Sequence, residues 1–237
     1  MKQIIRLLFL VVMTFLLLTG CGGDTNTAGE GKSSGEPPKQ EANKQSGDNL
    51  TSLFANAKGI KAISYNMVMS LDGQLLSQGR VWVKGEKTKM EFNAEGMNAI
   101  MYVDMSEQVA YNYLPSEQMA MKTDFSQAKS QIKGSPLEYS KEYSSNNKYE
   151  KIGTEQVNGY TCEGIVLDEN GEPVTVWVSK DYGIPVKVES IIDGKKATID
   201  FSDIKVGDIP DSDFELPPGV EVMDMNQMMG DFPNMQE

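Results

Sequence analysis

The chain has 237 residues, with 22 basic and 34 acidic side chains, two cysteines and no histidine. A formal charge of −12 argues against a nucleic-acid partner and against an electrostatic hold on anionic lipid headgroups. The missing histidines remove His-based catalytic triads and His metal sites, and two cysteines give no disulfide framework.

At the N-terminus, Lys2 and Arg6 accompany the apolar run Ile4 to Leu18, which ends in Leu18-Thr19-Gly20-Cys21. A basic start, a short apolar stretch and small residues before a cysteine read as a bacterial lipoprotein signal, too short for a comfortable membrane span. Residues 1–20 are then removed, the charge moves from −12 to −14, and Cys21 becomes the mature N-terminus. Bacterial lipoproteins carry a diacylglycerol on this thiol and usually a further acyl chain on its amine, enough for stable anchoring. The expected location is the extracytoplasmic face of a bacterial membrane, within the cell envelope. From residue 22 to about 47 the sequence is Gly, Ser, Thr, Pro, Lys and Glu, with no aromatic side chain. It cannot bury a core and reads as a flexible tether with a reach of about 30 Å.

Residues 48–222 read as one domain. Leu50, Leu53, Phe54 and Ala57 share one helical face, with Asp48 or Asn49 as cap and Gly59 as stop. The period then changes to two. Ile63, Tyr65, Met67, Met69 and Leu71 alternate with polar residues ahead of Asp72-Gly73, a two-residue hairpin turn. That turn sets Leu71 opposite Gln74, Met69 opposite Leu76, Tyr65 opposite Arg80 and Ile63 opposite Trp82. A one-residue slip would exchange the faces of the second strand. Further strands are predicted over 87–93, 97–104, 108–114 and 118–122 as a meander. A helix is predicted over 124–133, with Phe125, Ala128 and Ile132 on one face and Gly134 and Pro136 as its stop. A second run of strands follows from about 150 to 206, turning at Asn158-Gly159, Asp168 to Gly171, Tyr182-Gly183 and Asp193-Gly194. Residues 223–237 form a Met-rich tail. The predicted class is mainly β (α+β): an antiparallel sheet of about ten strands that must curl, with short helices on its concave side.

Gly79-Arg80-Val81-Trp82-Val83-Lys84, then Ile100 to Asp104 with Val109 to Tyr113, then Phe214-Glu215-Leu216-Pro217-Pro218-Gly219-Val220 follow in order. Together with Asn158 to Cys162 and the stretch Trp177 to Lys187, they resemble the LolA/LolB-like lipoprotein-sorting superfamily. The resemblance implies a strongly curved half-barrel whose apolar groove holds acyl chains of lipoproteins or glycolipids, or, in some relatives, an envelope-stress role. Periplasmic carriers commonly have Arg-Pro after the Trp-Val-Lys motif; Gly85-Glu86 stands here. A lipid-anchored chain is closer in design to a membrane-bound acceptor than to a soluble shuttle.

No nucleophile elbow or phosphate loop occurs, so no enzyme activity and no cofactor is expected. Asp168 to Glu172 lacks the alternating ligands of a calcium loop, and the Met-rich tail lacks Cys or His for a copper site. Cys162 reads as a buried small hydrophobe on a strand. Fifteen methionines, among them Met67, Met69, Met90, Met97, Met101, Met119 and Met121 on strands, suit a surface that accepts varied acyl chains. The candidate ligand-binding residues are Leu53, Phe54, Tyr65, Met67, Met69, Arg80, Trp82, Met90, Phe92, Tyr102 and Tyr111. Arg80 is either a cation–π partner or a headgroup anchor. The expected ligand is a lipid or an acylated protein; the alternative is a protein-interaction or envelope-sensor module whose groove is filled by its own side chains.

Overall fold

The computed structural model describes residues 50–94, 97–124, 134–146, 148–169 and 171–225. Among the described residues twelve strands form one open, curved sheet in the order β12-β6-β5-β4-β3-β2-β1-β11-β10-β9-β8-β7. The first wing is the predicted meander: β1 (Ala62–Leu71), β2 (Gln74–Lys84), β3 (Lys87–Ala94), β4 (Met97–Asp104), β5 (Val109–Leu114) and β6 (Met119–Asp124). The second comprises β7 (Tyr149–Val157), β8 (Tyr160–Glu169), β9 (Glu172–Ser179), β10 (Pro185–Ile192) and β11 (Lys195–Val206), and β11 joins the wings by pairing with β1. Every pair is antiparallel except the last, in which β12 (Glu221–Asp224) lies parallel to β6.

The turn chemistry holds where the sequence is most explicit. Asp72-Gly73, Asn158-Gly159 and Asp193-Gly194 all have positive φ at both residues, the backbone that two-residue hairpins with the right twist require. The first hairpin nevertheless differs from the predicted register. Leu71 faces Gln74 and Ser70 faces Leu75, but a bulge then intervenes and Met69 faces Ser77. From there Tyr65 pairs with Val81 and Ile63 with Val83, not with Arg80 and Trp82. One extra residue in β2 turns every later side chain of that strand to the other face.

Two short helices lie on one face of the sheet, here the inner face. Helix α1 (Leu50–Leu53) continues into a 3-10 turn (Ala55–Gly59) that ends at Gly59 as expected. Helix α2 (Pro136–Tyr143) begins where a stop was predicted, because Ser135-Pro136-Leu137-Glu138 is a start signal. Ser135 Oγ accepts from the Glu138 amide at 3.2 Å, Glu138 accepts in return from the Ser135 amide at 3.2 Å, and proline occupies the first turn. The predicted helix over 124–133 meets the end of β6 at Asp124, and its remainder, with Phe125, Ala128 and Ile132, lies outside the described residues.

The main core lies between these helices and the inner face of β1, β2 and β8–β11. Leu50, Phe54 and Ala57 from the N-terminal segment and Tyr139 and Tyr143 from α2 are buried against Ile63, Tyr65, Met67, Met69, Ile165, Val176, Val188 and Phe201. The outer face is crossed by residues 207–220. This strap leaves β11 with the Gly207 amide donating to the Ala62 carbonyl, and Lys84 Nζ donates to the Ile209 carbonyl at 2.7 Å. Ile209 and Phe214 then pack on Ala62 and Trp82, Leu216 and Val220 pack on the cluster of Tyr102, Tyr113 and Ala120, and the chain joins the far edge as β12.

Candidate functional site

The inner face divides into two parts. Over β1, β2 and β8–β11 it is filled by the protein itself. The Tyr65 ring meets Phe201 edge-on at 5.4 Å between centroids, Tyr139 lies 6.3 Å from Phe201, and Tyr139 stacks on Tyr143 at 5.6 Å. Burial pushes the Tyr65 and Tyr139 hydroxyls far above their ordinary range, so both remain neutral members of a dry core. Phe54, Tyr65, Met67 and Met69 belong to this packing, with Leu53 partly buried against it. These five residues therefore share the inner face, as predicted, but as structural core.

Over β3–β6 and β12 the inner face has a different character. Cross-strand pairing places Val81 beside Met90, Met90 beside Met101, Met101 beside Asn112, Asn112 beside Met121 and Met121 beside Met223. The result is a transverse row of four methionines broken by one asparagine. A second row runs beside it, with Phe92 opposite Ala99 on β3 and β4 and Leu114 opposite Met119 on β5 and β6. Every side chain of the two rows named here, from Met90 to Met223, is half-buried. None of these carries a charge; on β12 the second row ends in the exposed Glu221, opposite Met119. Flexible, polarizable thioethers at successive positions make a surface that can adapt to an irregular apolar ligand.

Gly79 shapes the start of this surface. A Cβ at that position would lie 2.5 Å from the Glu91 carbonyl oxygen and 2.9 Å from Phe92 Cδ1, so only glycine lets the Phe92 ring rest against β2. Met90 and Phe92 were named as groove residues from sequence, and Met101, Met119 and Met121 were noted there as strand methionines suited to acyl chains; Gly79 and Met223 were not connected with the groove. The inward alternation of Ala99, Met101 and Val103 in β4 becomes readable once the β2 register is known.

Four expected groove residues face the other way. Arg80 and Trp82 lie on the outer face because of the bulge in β2, and Tyr102 and Tyr111 lie there because they alternate with inward Met101 and Asn112. Arg80 makes an ion pair with Asp203 at 2.9 Å and sits 5.4 Å from the Trp82 ring, on whose face Lys89 also stands at 4.7 Å. It has a cation–π contact, as one reading held, but with Trp82 and away from Tyr65. Cys162 is a free, buried thiol whose pKa is pushed up to about 11 by burial, consistent with a packing role. Cys21 lies outside the described residues. Among the described residues no group of three or more His, Cys, Asp or Glu side chains could hold a metal, and no helix is long and apolar enough to cross a membrane.

The model of a domain family described as a domain of unknown function, DUF4412, matches residues 64–184, just over half of the chain. The chain belongs to the DUF4412 family. The match runs from β1 to the residue before β10, so the DUF4412 region holds all of both methionine rows except Met223. No curated protein matches the DUF4412 chain. Among solved structures it is similar to an uncharacterized conserved protein from Thermus thermophilus, with 12% identity, 74% of this chain and 96% of that chain covered, and a TM-score of 0.49. MucB in the MucA/MucB complex of Pseudomonas aeruginosa matches at 12% identity over 73% and 62% of the two chains, with a TM-score of 0.39. A LolA superfamily protein from Nitrosomonas europaea matches at 14% identity over 71% and 98%, with a TM-score of 0.34. At these identities and TM-scores the neighbours determine neither the ligand nor the partner of the DUF4412 chain.

Proposed function

We propose that this chain is a non-catalytic envelope lipoprotein, held to a bacterial membrane by acyl chains on Cys21, that binds an acyl chain of a lipid or lipidated protein on the inner face of β3–β6 and β12. The row Met90, Met101, Met121 and Met223 carries this reading: four adaptable apolar side chains in register, uncharged and half-buried, next to a core that is already full. Burial contributes about 0.8 kcal/mol per methylene, so a ten-carbon stretch supplies several kcal/mol before ordering costs. The named apolar side chains of the rows carry no charge, which matches a ligand recognised by its tail.

A photoreactive fatty acid added to residues 48–237 tests the assignment. Crosslinks should map to peptides of β3–β6, be competed by palmitate, and fall sharply in the M101N/M121N double variant. The filled face over β1 and β8–β11 favours the second reading, an interaction module that works through its outer surface. Label scattered over the surface, or none at all, would establish that reading in place of the first.

A further inference from the structure

A cavity of about 360 Å³ lies on the opposite side of the sheet from the methionine rows, between the strap and the outer face of β3–β5. We propose that it binds a small organic cation of the quaternary-ammonium class. This site is independent of the acyl-chain reading, since it shares no lining residue with the two rows.

Its walls come from two parts of the chain. Tyr102 and Tyr111 are directly opposed on β4 and β5, and the strap supplies Phe214 and Leu216. Directly opposed positions put both tyrosine side chains on the outer face of the sheet, and an alkylated cation is attracted to the negative faces of aromatic rings. The volume suits a compact ligand.

The charges favour a cation over a neutral ligand. Lys87 and Asp104 are cross-strand partners and offset one another. Asp104 is also engaged by its own turn, accepting from the Ser106 amide at 2.9 Å, from Ser106 Oγ, and from the Glu107 amide at 3.1 Å. Two carboxylates remain, Glu107 from the β4–β5 turn and Glu215 from the strap. Neither takes part in an ion pair among the described residues, and they stand on opposite walls. A monovalent cation held in the cavity offsets one of these two negative charges.

The test is calorimetric titration of the full chain in a polyoxyethylene detergent, with choline chloride as probe and sodium chloride holding ionic strength constant. The neutral isostere 3,3-dimethylbutanol and methyl glucoside are titrated in parallel. Choline should bind saturably, one per chain, at least about tenfold more tightly than the isostere. E215Q and E107Q should each weaken choline by about three- to tenfold while leaving the melting temperature unchanged. Absence of saturable choline binding, equal binding of the isostere, preference for the glucoside, or an unchanged affinity in E215Q would each overturn the proposal.

Discussion

Replacing Gly79 by alanine should destabilise the protein, although alanine normally improves on glycine inside a strand. The new methyl group would stand 2.5 Å from the Glu91 carbonyl oxygen, a backbone atom that cannot rotate away, and 2.9 Å from the Phe92 ring. Relief requires β2 and β3 to separate locally or Phe92 to leave its rotamer, and such overpacking costs about 1–3 kcal/mol. For a domain of this size each kcal/mol lowers the melting temperature by about 2–4 °C, so the expected drop is about 2–12 °C. Two companion variants isolate the cause. Gly164→Ala also places a Cβ at 2.5 Å, but against the Trp177 and Ile152 side chains, which can move, so its cost should be smaller. Gly59→Ala meets nothing within 4 Å and needs no positive φ, so it should be neutral or slightly stabilising. Thermal unfolding followed by circular dichroism ranks the three. A melting temperature for Gly79→Ala within a degree of the parent, or one above Gly164→Ala, would refute the argument that backbone approach makes glycine obligatory there.

Ser135→Ala removes one half of the capping box on α2 and should cost about 1 kcal/mol, read as a lower denaturation midpoint with an unchanged slope. Burial, together with Glu142 and against the opposing Tyr143 hydroxyl, holds the Glu169 carboxyl above its ordinary 4.5. The folded state therefore keeps its proton longer than the unfolded state, and this contribution to stability is complete below about pH 4.5 and declines as pH rises until the folded carboxyl ionises. Glu169→Gln should flatten that part of the stability–pH curve; an identical curve would show that the burial has no energetic effect. Cys162 should resist a thiol reagent such as DTNB in native buffer at pH 8 and react at once in denaturant, whereas rapid native labelling would contradict its burial.

The local turn chemistry was legible: Asp72-Gly73, Asn158-Gly159 and Asp193-Gly194 placed three hairpins, and alternation between them placed the strands. The faces were harder to read. A bulge close to the first turn inverted β2 beyond it, and with it the roles of Arg80 and Trp82. Tyr102 and Tyr111 were assigned to the groove although their neighbours Met101 and Asn112 occupy it, because alternation alone does not say which face of a two-sided sheet is the inner one. The inner face over β1 is recognisable because α1 and α2 fill it with aromatic residues. Helix α2 was missed because Gly134 and Pro136 were read as an ending, although the Ser-Pro-Leu-Glu string between and after them is a beginning. Strand β12 gives no periodic signal at all. Its four residues become a strand only because the strap delivers them to β6, a pairing about a hundred residues apart in sequence.

The two rims of the sheet carry a further consequence. An open sheet ends in rows of unpaired donors and acceptors that invite another chain to continue the ladder. On β7, the rim is interrupted where the pairing shifts between Lys151 and Gly153, whose φ of 117° few other residues could adopt. On the other side the last strand is only four residues long and runs against the alternation of its neighbours. Among the described residues the β7 border is broken into stretches of three and five residues, and the β12 border is four residues long. Short or interrupted borders of this kind disfavour continuation of the sheet by another copy.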